Sequence, residues 1–100
     1  MSQEGDVIIW KYPIMLGTNI IEMPFSSKIL SVQVQNSIPH IWVLVSAWES
    51  ERKYRYESRR FEVLPTGLSF NNKTGMLYVG TFQLDDGNFV GHLFEIYNKE

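Results

Sequence analysis

Seven short runs rich in β-branched and aromatic residues, most of them closed by proline, glycine, asparagine or aspartate, set the narrowest limit on what this chain can become. Val7-Ile8-Ile9-Trp10-Lys11-Tyr12 stops at Pro13, and a second short run over 18–23, predicted to lie at a sheet edge, stops at Pro24. Lys28-Ile29-Leu30-Ser31-Val32-Gln33-Val34-Gln35 alternates, with Leu30, Val32 and Val34 on one face and Ser31, Gln33 and Gln35 on the other. Asn36-Ser37 suits a tight hairpin because Asn tolerates positive φ, and the apolar run over 38–45 that follows is expected to be buried on both faces. Residues 53–64 mix aromatics with charges and predict a long, partly exposed strand. The last two runs, 77–84 and 89–97, flank Asp85-Asp86-Gly87-Asn88, whose small residues favour a hairpin turn.

No stretch carries the apolar stripe of a helix. Ser46 and Glu49 have capping-box spacing, yet no periodic apolar residues follow, so a loop is expected over 46–51. Pro65-Thr66-Gly67 and Asn71-Asn72-Lys73-Thr74-Gly75 predict breaks and a polar loop. Without crossover helices a parallel sheet is ruled out. The expected fold is all-β: a small antiparallel sandwich or barrel-like sheet of about seven strands. At 100 residues the chain makes one domain, 1–100, with residues 1–6 expected to form a flexible terminus.

Charge and composition narrow the function. The net charge of -2 offers no global attraction to DNA, RNA or an anionic membrane. The longest apolar runs are far below the roughly 20 residues that span a bilayer, and the acidic, polar start does not resemble a secretory signal. Zero cysteines remove disulfides, thiolate metal sites and thiol nucleophiles and fit a reducing cytoplasm. His40 and His92 have no carboxylate cluster at metal spacing. His92 and Glu95 fall on opposite faces of one strand, and no phosphate loop or nucleophile elbow appears. Neither catalysis nor a cofactor is expected.

Five of the nine Lys and Arg residues lie between Arg52 and Arg60. Arg55, Arg59 or Arg60 beside Tyr54 and Tyr56 suits a phosphate with a stacked base, while pairing with Glu49, Glu51, Glu57 and Glu62 would make the same stretch an ordinary solvated strand. Gln33 and Gln35 share a face able to read the polar edge of a base; a plain solvent-facing strand is the alternative. Trp10 and Trp42 are either stacking platforms or core rings. Thr66-Gly67 and Gly80-Thr81 permit close approach of a ligand to the backbone, or mark turns and bulges.

The order of Trp10-Lys11-Tyr12-Pro13, Met23-Pro24, the 28–35 run, Ile41-Trp42-Val43-Leu44-Val45, Thr66-Gly67, Tyr78-Val79-Gly80-Thr81-Phe82-Gln83-Leu84, Phe89-Val90 and His92-Leu93-Phe94-Glu95 resembles a family of small tailed-bacteriophage proteins of about this length. The chain departs from that family's pattern in its acidic extension before Val7 and its charged stretch over 49–60. The resemblance covers nearly the whole sequence and implies a phage-encoded protein acting in the cytoplasm of the host bacterium. By analogy with small phage proteins that disable host defences, the expected function is sequestration of a nucleotide-derived immune signal without cleavage. The expected assembly is a homo-oligomer with pockets between subunits. In that reading Arg59 and Arg60 neutralise phosphate, Trp10 or Trp42 stacks on the base, and Gln33, Gln35 and Thr81 orient it. The competing expectations are an adaptor or inhibitor that docks on a host enzyme, and a minor virion assembly protein.

Overall fold

A computed structural model describes residues 3–72 and 75–97, and within them all seven expected strands form. They are β1 (Val7–Pro13), β2 (Gly17–Pro24), β3 (Lys28–Gln35), β4 (Ile38–Ser46), β5 (Tyr56–Pro65), β6 (Gly75–Leu84) and β7 (Phe89–Tyr97). Every pairing is antiparallel. One sheet has the order β1-β4-β3 and the other β2-β5-β7-β6, so the all-β sandwich is as expected and β2 does lie at an edge.

Local chemistry explains the turns. Asn36 and Ser37 both take positive φ, 54° and 66°, which matches the twist of a two-residue hairpin between β3 and β4. Asp85, Asp86 and Gly87 do the same between β6 and β7. Residues 46–51, expected as a loop, instead contain a single helical turn, α1 (Ala47–Ser50), with the Glu49 backbone N–H donating to Ser46 Oγ at 3.2 Å. The cap alone suffices because the turn is anchored at both ends: Ala47 N–H donates to the Asp6 carbonyl at 2.9 Å, and Tyr56 Oη donates to the Ser50 carbonyl at 2.9 Å. The long strand expected over 53–64 begins late, since Lys53–Arg55 form a 3₁₀ turn before β5. Of the polar loop 71–75, Lys73 and Thr74 lie outside the described residues, as do Met1 and Ser2 of the expected flexible terminus.

Between the sheets sit Met23, Val32, Ile41, Val43, Val45, Phe61, Val63, Phe82 and Leu93, all buried. The alternation of β4 assigns its faces: Ile41, Val43 and Val45 point into the core, while His40, Trp42 and Leu44 are only half-buried on the opposite face. The expectation that this run is buried on both faces therefore fails on one side, because no layer covers the outer face of the three-stranded sheet. The sheets meet along β3 and β6, and both carry a bulge there, between Ile29 and Ser31 and between Tyr78 and Gly80. A Cβ on Gly80 would lie 2.8 Å from Val32 Cγ1, so this glycine serves the approach of two sheet edges.

Among the described residues two buried side-chain polar atoms lack a partner, Tyr12 Oη and Trp42 Nε1. Tyr12, opposite Ile41 on the core side, has its hydroxyl buried without a hydrogen-bond partner. Burial first, and neighbouring Tyr56 second, push this phenol above its ordinary 10.0. A raised value in the folded state means stability that is complete below pH ~10 and is lost as pH climbs through the native value. Tyr12→Phe is therefore expected to raise stability by about 1 kcal/mol at neutral pH and to flatten the alkaline decline, as read by urea denaturation across a pH series.

Candidate functional site

Residues opposite one another in an antiparallel ladder share a face, so the register determines which side chains meet on the uncovered side of the three-stranded sheet. Lys11 lies opposite Trp42, and Trp42 opposite Ser31; Gln33 faces His40, and Gln35 faces Ile38. Lys11 Nζ sits over the Trp42 ring, 5.6 Å from its centroid, and donates to Gln35 Oε1. The His40 ring lies 6.5 Å from that of Trp42, and its Nδ1 is 2.9 Å from the Ile38 carbonyl. Because a carbonyl only accepts, Nδ1 is the donor in this contact. Trp42 Nε1 is buried and lacks a hydrogen-bond partner.

The charge distribution sets this face apart. None of the eleven Asp and Glu residues falls on β1, β3 or β4, although the whole chain has a net charge of -2. Lys11 and Lys28 thus give one sheet a cationic character within an acidic protein. An anion approaching it meets no carboxylate of the same sheet.

The arginine-rich stretch behaves differently, because each of its arginines already has a carboxylate. Arg59 forms a fork with Glu95, Nε to Oε2 at 2.6 Å and Nη2 to Oε1 at 2.9 Å, and its Nη1 donates to the Ser27 carbonyl. That bond to Glu95 is the main reason why its guanidinium holds its proton above the usual range. Arg60 pairs with Glu62 at 3.0 Å, Arg55 with Glu49 at 2.7 Å, and Arg52 with Glu51 at 3.7 Å. Arg52 also stacks 3.5 Å above the Trp48 ring. An open cleft of about 540 Å³ lined by Glu57, Arg59, Arg60, Glu95 and Tyr97 is charge-balanced, so phosphate there would compete with carboxylates already in place.

The seven sequence candidates consequently divide among three surfaces. Gln33, Gln35 and Trp42 come together on the outer face of the three-stranded sheet. Trp10, opposite Val43, packs against the core from the inner side, and Arg59 shares the inward parity of Phe61 and Val63. Arg60 and Thr81 are on the outer face of the four-stranded sheet. There Thr81 Oγ1 lies 3.0 Å from His92 Nδ1 and 2.6 Å from Tyr78 Oη, while Thr66 Oγ1 lies 2.6 Å from His92 Nε2. His92 and Glu95 do occupy opposite faces of β7. Sequence reasoning missed Lys11, Ser31 and His40 as companions of Trp42; the readable signal was the lack of acids in four of the seven runs, three of which form this sheet.

Among the described residues no group of three or more His, Asp or Glu is placed to hold a metal, and no helix is long and apolar enough to cross a membrane. These features define a small antiparallel two-sheet β protein with one acid-free, aromatic, amide-bearing face. The chain belongs to the family described as a domain of unknown function (DUF7352), which it matches over residues 7–100. No curated protein and no solved structure matches it.

Proposed function

We propose that this protein is a binding protein that captures a planar, anionic, nucleotide-like ligand on the outer face of the β1-β4-β3 sheet and holds it without chemical change. The observation that carries this reading is the union of Lys11, Trp42, Gln33 and Gln35 on one face of a sheet whose strands carry no carboxylates. Lysine supplies charge to a phosphate, the indole ring a stacking surface, and the amides a donor and acceptor edge. In the phage setting implied by the resemblance, the ligand is a nucleotide-derived immune signal of the host bacterium, sequestered in its cytoplasm.

Thermal denaturation with a panel of linear and cyclic nucleotides and ADP-ribose compounds tests this. At one hundred times its dissociation constant a ligand stabilises by about 2.7 kcal/mol, which for a domain of this size raises the melting temperature by about 10 °C or more. Lys11→Gln and Trp42→Phe should each shrink the shift while leaving the unliganded melting temperature within a few degrees. A panel in which no compound moves the transition overturns the reading.

A second reading rests on a different observation: Ile9 and Ile38 are 59% and 48% exposed on the same face. Those side chains suit an adaptor that docks on a host enzyme. Purification from infected cells separates the two, since an adaptor retains a stoichiometric protein and a sequestering protein retains an ultraviolet-absorbing small molecule.

A further inference from the structure

An edge strand exposes main-chain donors and acceptors, and proteins usually blunt such edges with bulges, prolines or charges. Three of the four edges here are blunted: β3 and β6 each carry a bulge, and β2 contains Glu22 and ends at Pro24. β1 differs. Its Val7, Ile8 and Ile9 are consecutive, β-branched and 59%, 39% and 59% exposed, with no bulge against β4.

The direction of its main-chain groups can be read from the ends of the ladder. Ala47 N–H donates to the Asp6 carbonyl and Ile14 N–H to the Pro39 carbonyl, at 2.9 and 3.0 Å. In an antiparallel pair, hydrogen-bonded positions recur at every second residue. The intervening even positions Ile8, Trp10 and Tyr12 therefore turn their N–H and C=O groups toward β4. Val7, Ile9 and Lys11 turn theirs to the open side. Pro13, the next outward position, lacks a donor, and so limits the usable edge to these three residues.

This pattern is complementary to itself. With a twofold axis through Ile9, perpendicular to the sheet, Ile9 exchanges both hydrogen bonds with the partner's Ile9. Val7 and Lys11 do the same with the partner's Lys11 and Val7. Parity is conserved, since each pair joins residues of the same face: Ile9 stacks on the partner's Ile9 outside, and Ile8 meets the partner's Trp10 on the core side. No acid lies on the strand, and the only cation falls opposite a valine.

We infer that β1 is a dimerisation edge, and that a second copy of this chain pairs antiparallel with it to make one continuous sheet, β3-β4-β1-β1-β4-β3. An isologous contact of this kind closes on itself after two copies. It joins the two acid-free faces into one surface. The pairing does not depend on what that surface binds, and a monomer that binds nucleotide would refute the dimer alone.

Light scattering coupled to gel filtration reads the result as mass. The wild-type chain is expected at twice its 11.7 kDa, and Ile9→Pro at the single-chain mass. Proline at position 9 removes an outward donor and leaves the ladder to β4 intact, so circular dichroism should remain that of the wild type. Ile9→Lys, which sets like charges across the axis, should also be monomeric. Amide exchange on the unaltered protein supplies a test that needs no variant: Val7, Ile9 and Lys11 should be protected in a concentration-dependent way, while Ile8, Trp10 and Tyr12 are protected at every concentration. A single-chain mass throughout, a dimer that survives both substitutions, or fast exchange at Val7, Ile9 and Lys11 within a dimer would each overturn the inference.

Discussion

Truncating Phe61 to alanine is expected to cost about 3–5 kcal/mol, the largest loss from any single core substitution in this chain. The ring is fully buried at the centre of β5, opposite Asn19 of β2 and Glu95 of β7, and it is the bulkiest side chain without solvent exposure. Its neighbours belong to ladders on both sides, so the cavity left by truncation cannot close by a simple shift of one strand. A domain of this length has roughly 5–15 kcal/mol of total stability, so Phe61→Ala should remove from about a fifth to nearly all of it. Urea denaturation followed by circular dichroism should show a much lower midpoint with an unchanged slope. A loss under about 1 kcal/mol would mean that Phe61 is not central to the packing.

The second large effect concerns charge. Glu95→Ala leaves the Arg59 guanidinium, whose side chain is 18% exposed, without its bidentate partner. Removing one member of a buried pair costs about 3–5 kcal/mol; the remaining Glu57 carboxylate at 3.8 Å and the Ser27 carbonyl soften this, and about 2–3 kcal/mol is expected here. The double substitution Arg59→Met with Glu95→Leu should recover most of the loss, because it removes both desolvated charges together. The same cycle bears on function. If nucleotide binding survives in the stable double variant, Arg59 belongs to the scaffold; if binding disappears there while Lys11→Gln retains it, the ligand site lies in the Arg59 cleft and not on the outer face.

Much of this architecture is legible along the chain because strand and turn formation are local. Pro13 and Pro24 end strands through a missing donor and a fixed φ, and Asn36-Ser37 turns because both residues accept positive φ. The alternation of Val32 and Val34 against Ser31, Gln33 and Gln35 survives in β3. Leu30 departs from it, since the bulge between Ile29 and Ser31 inserts a residue and leaves Leu30 43% exposed. A bulge answers to the neighbouring strand, which the local pattern does not contain. The helical turn over 47–50 was hidden for a similar reason: its supports, the Asp6 carbonyl and the Tyr56 hydroxyl, come from distant parts of the sequence.

For the candidate site, residue types were readable and grouping was not. Gln33, Gln35 and Trp42 were all visible as polar or aromatic strand residues, yet an apolar run such as 38–45 has no contrast between its faces from which to assign Trp42 a side. The pairing of β4 with β1 and β3 brought Lys11 over Trp42 and joined three strands that carry no carboxylate. Conversely, five cations in nine residues left a phosphate site and a carboxylate-paired strand both open in one dimension; in three dimensions each arginine meets a glutamate, Glu49, Glu51 and Glu62 from nearby and Glu95 from thirty-six positions away.

The sequence by itself determined an antiparallel β protein of seven strands, its turns and most of its core, because these depend on side-chain alternation and on the φ preferences of single residues. Only the tertiary structure decided which strands became neighbours, which face of the three-stranded sheet stayed uncovered, and which edge kept its main-chain donors free. Those outcomes depend on long-range pairing and on the packing of one sheet against the other, where the free energy of a contact belongs to both partners and is written in neither segment alone.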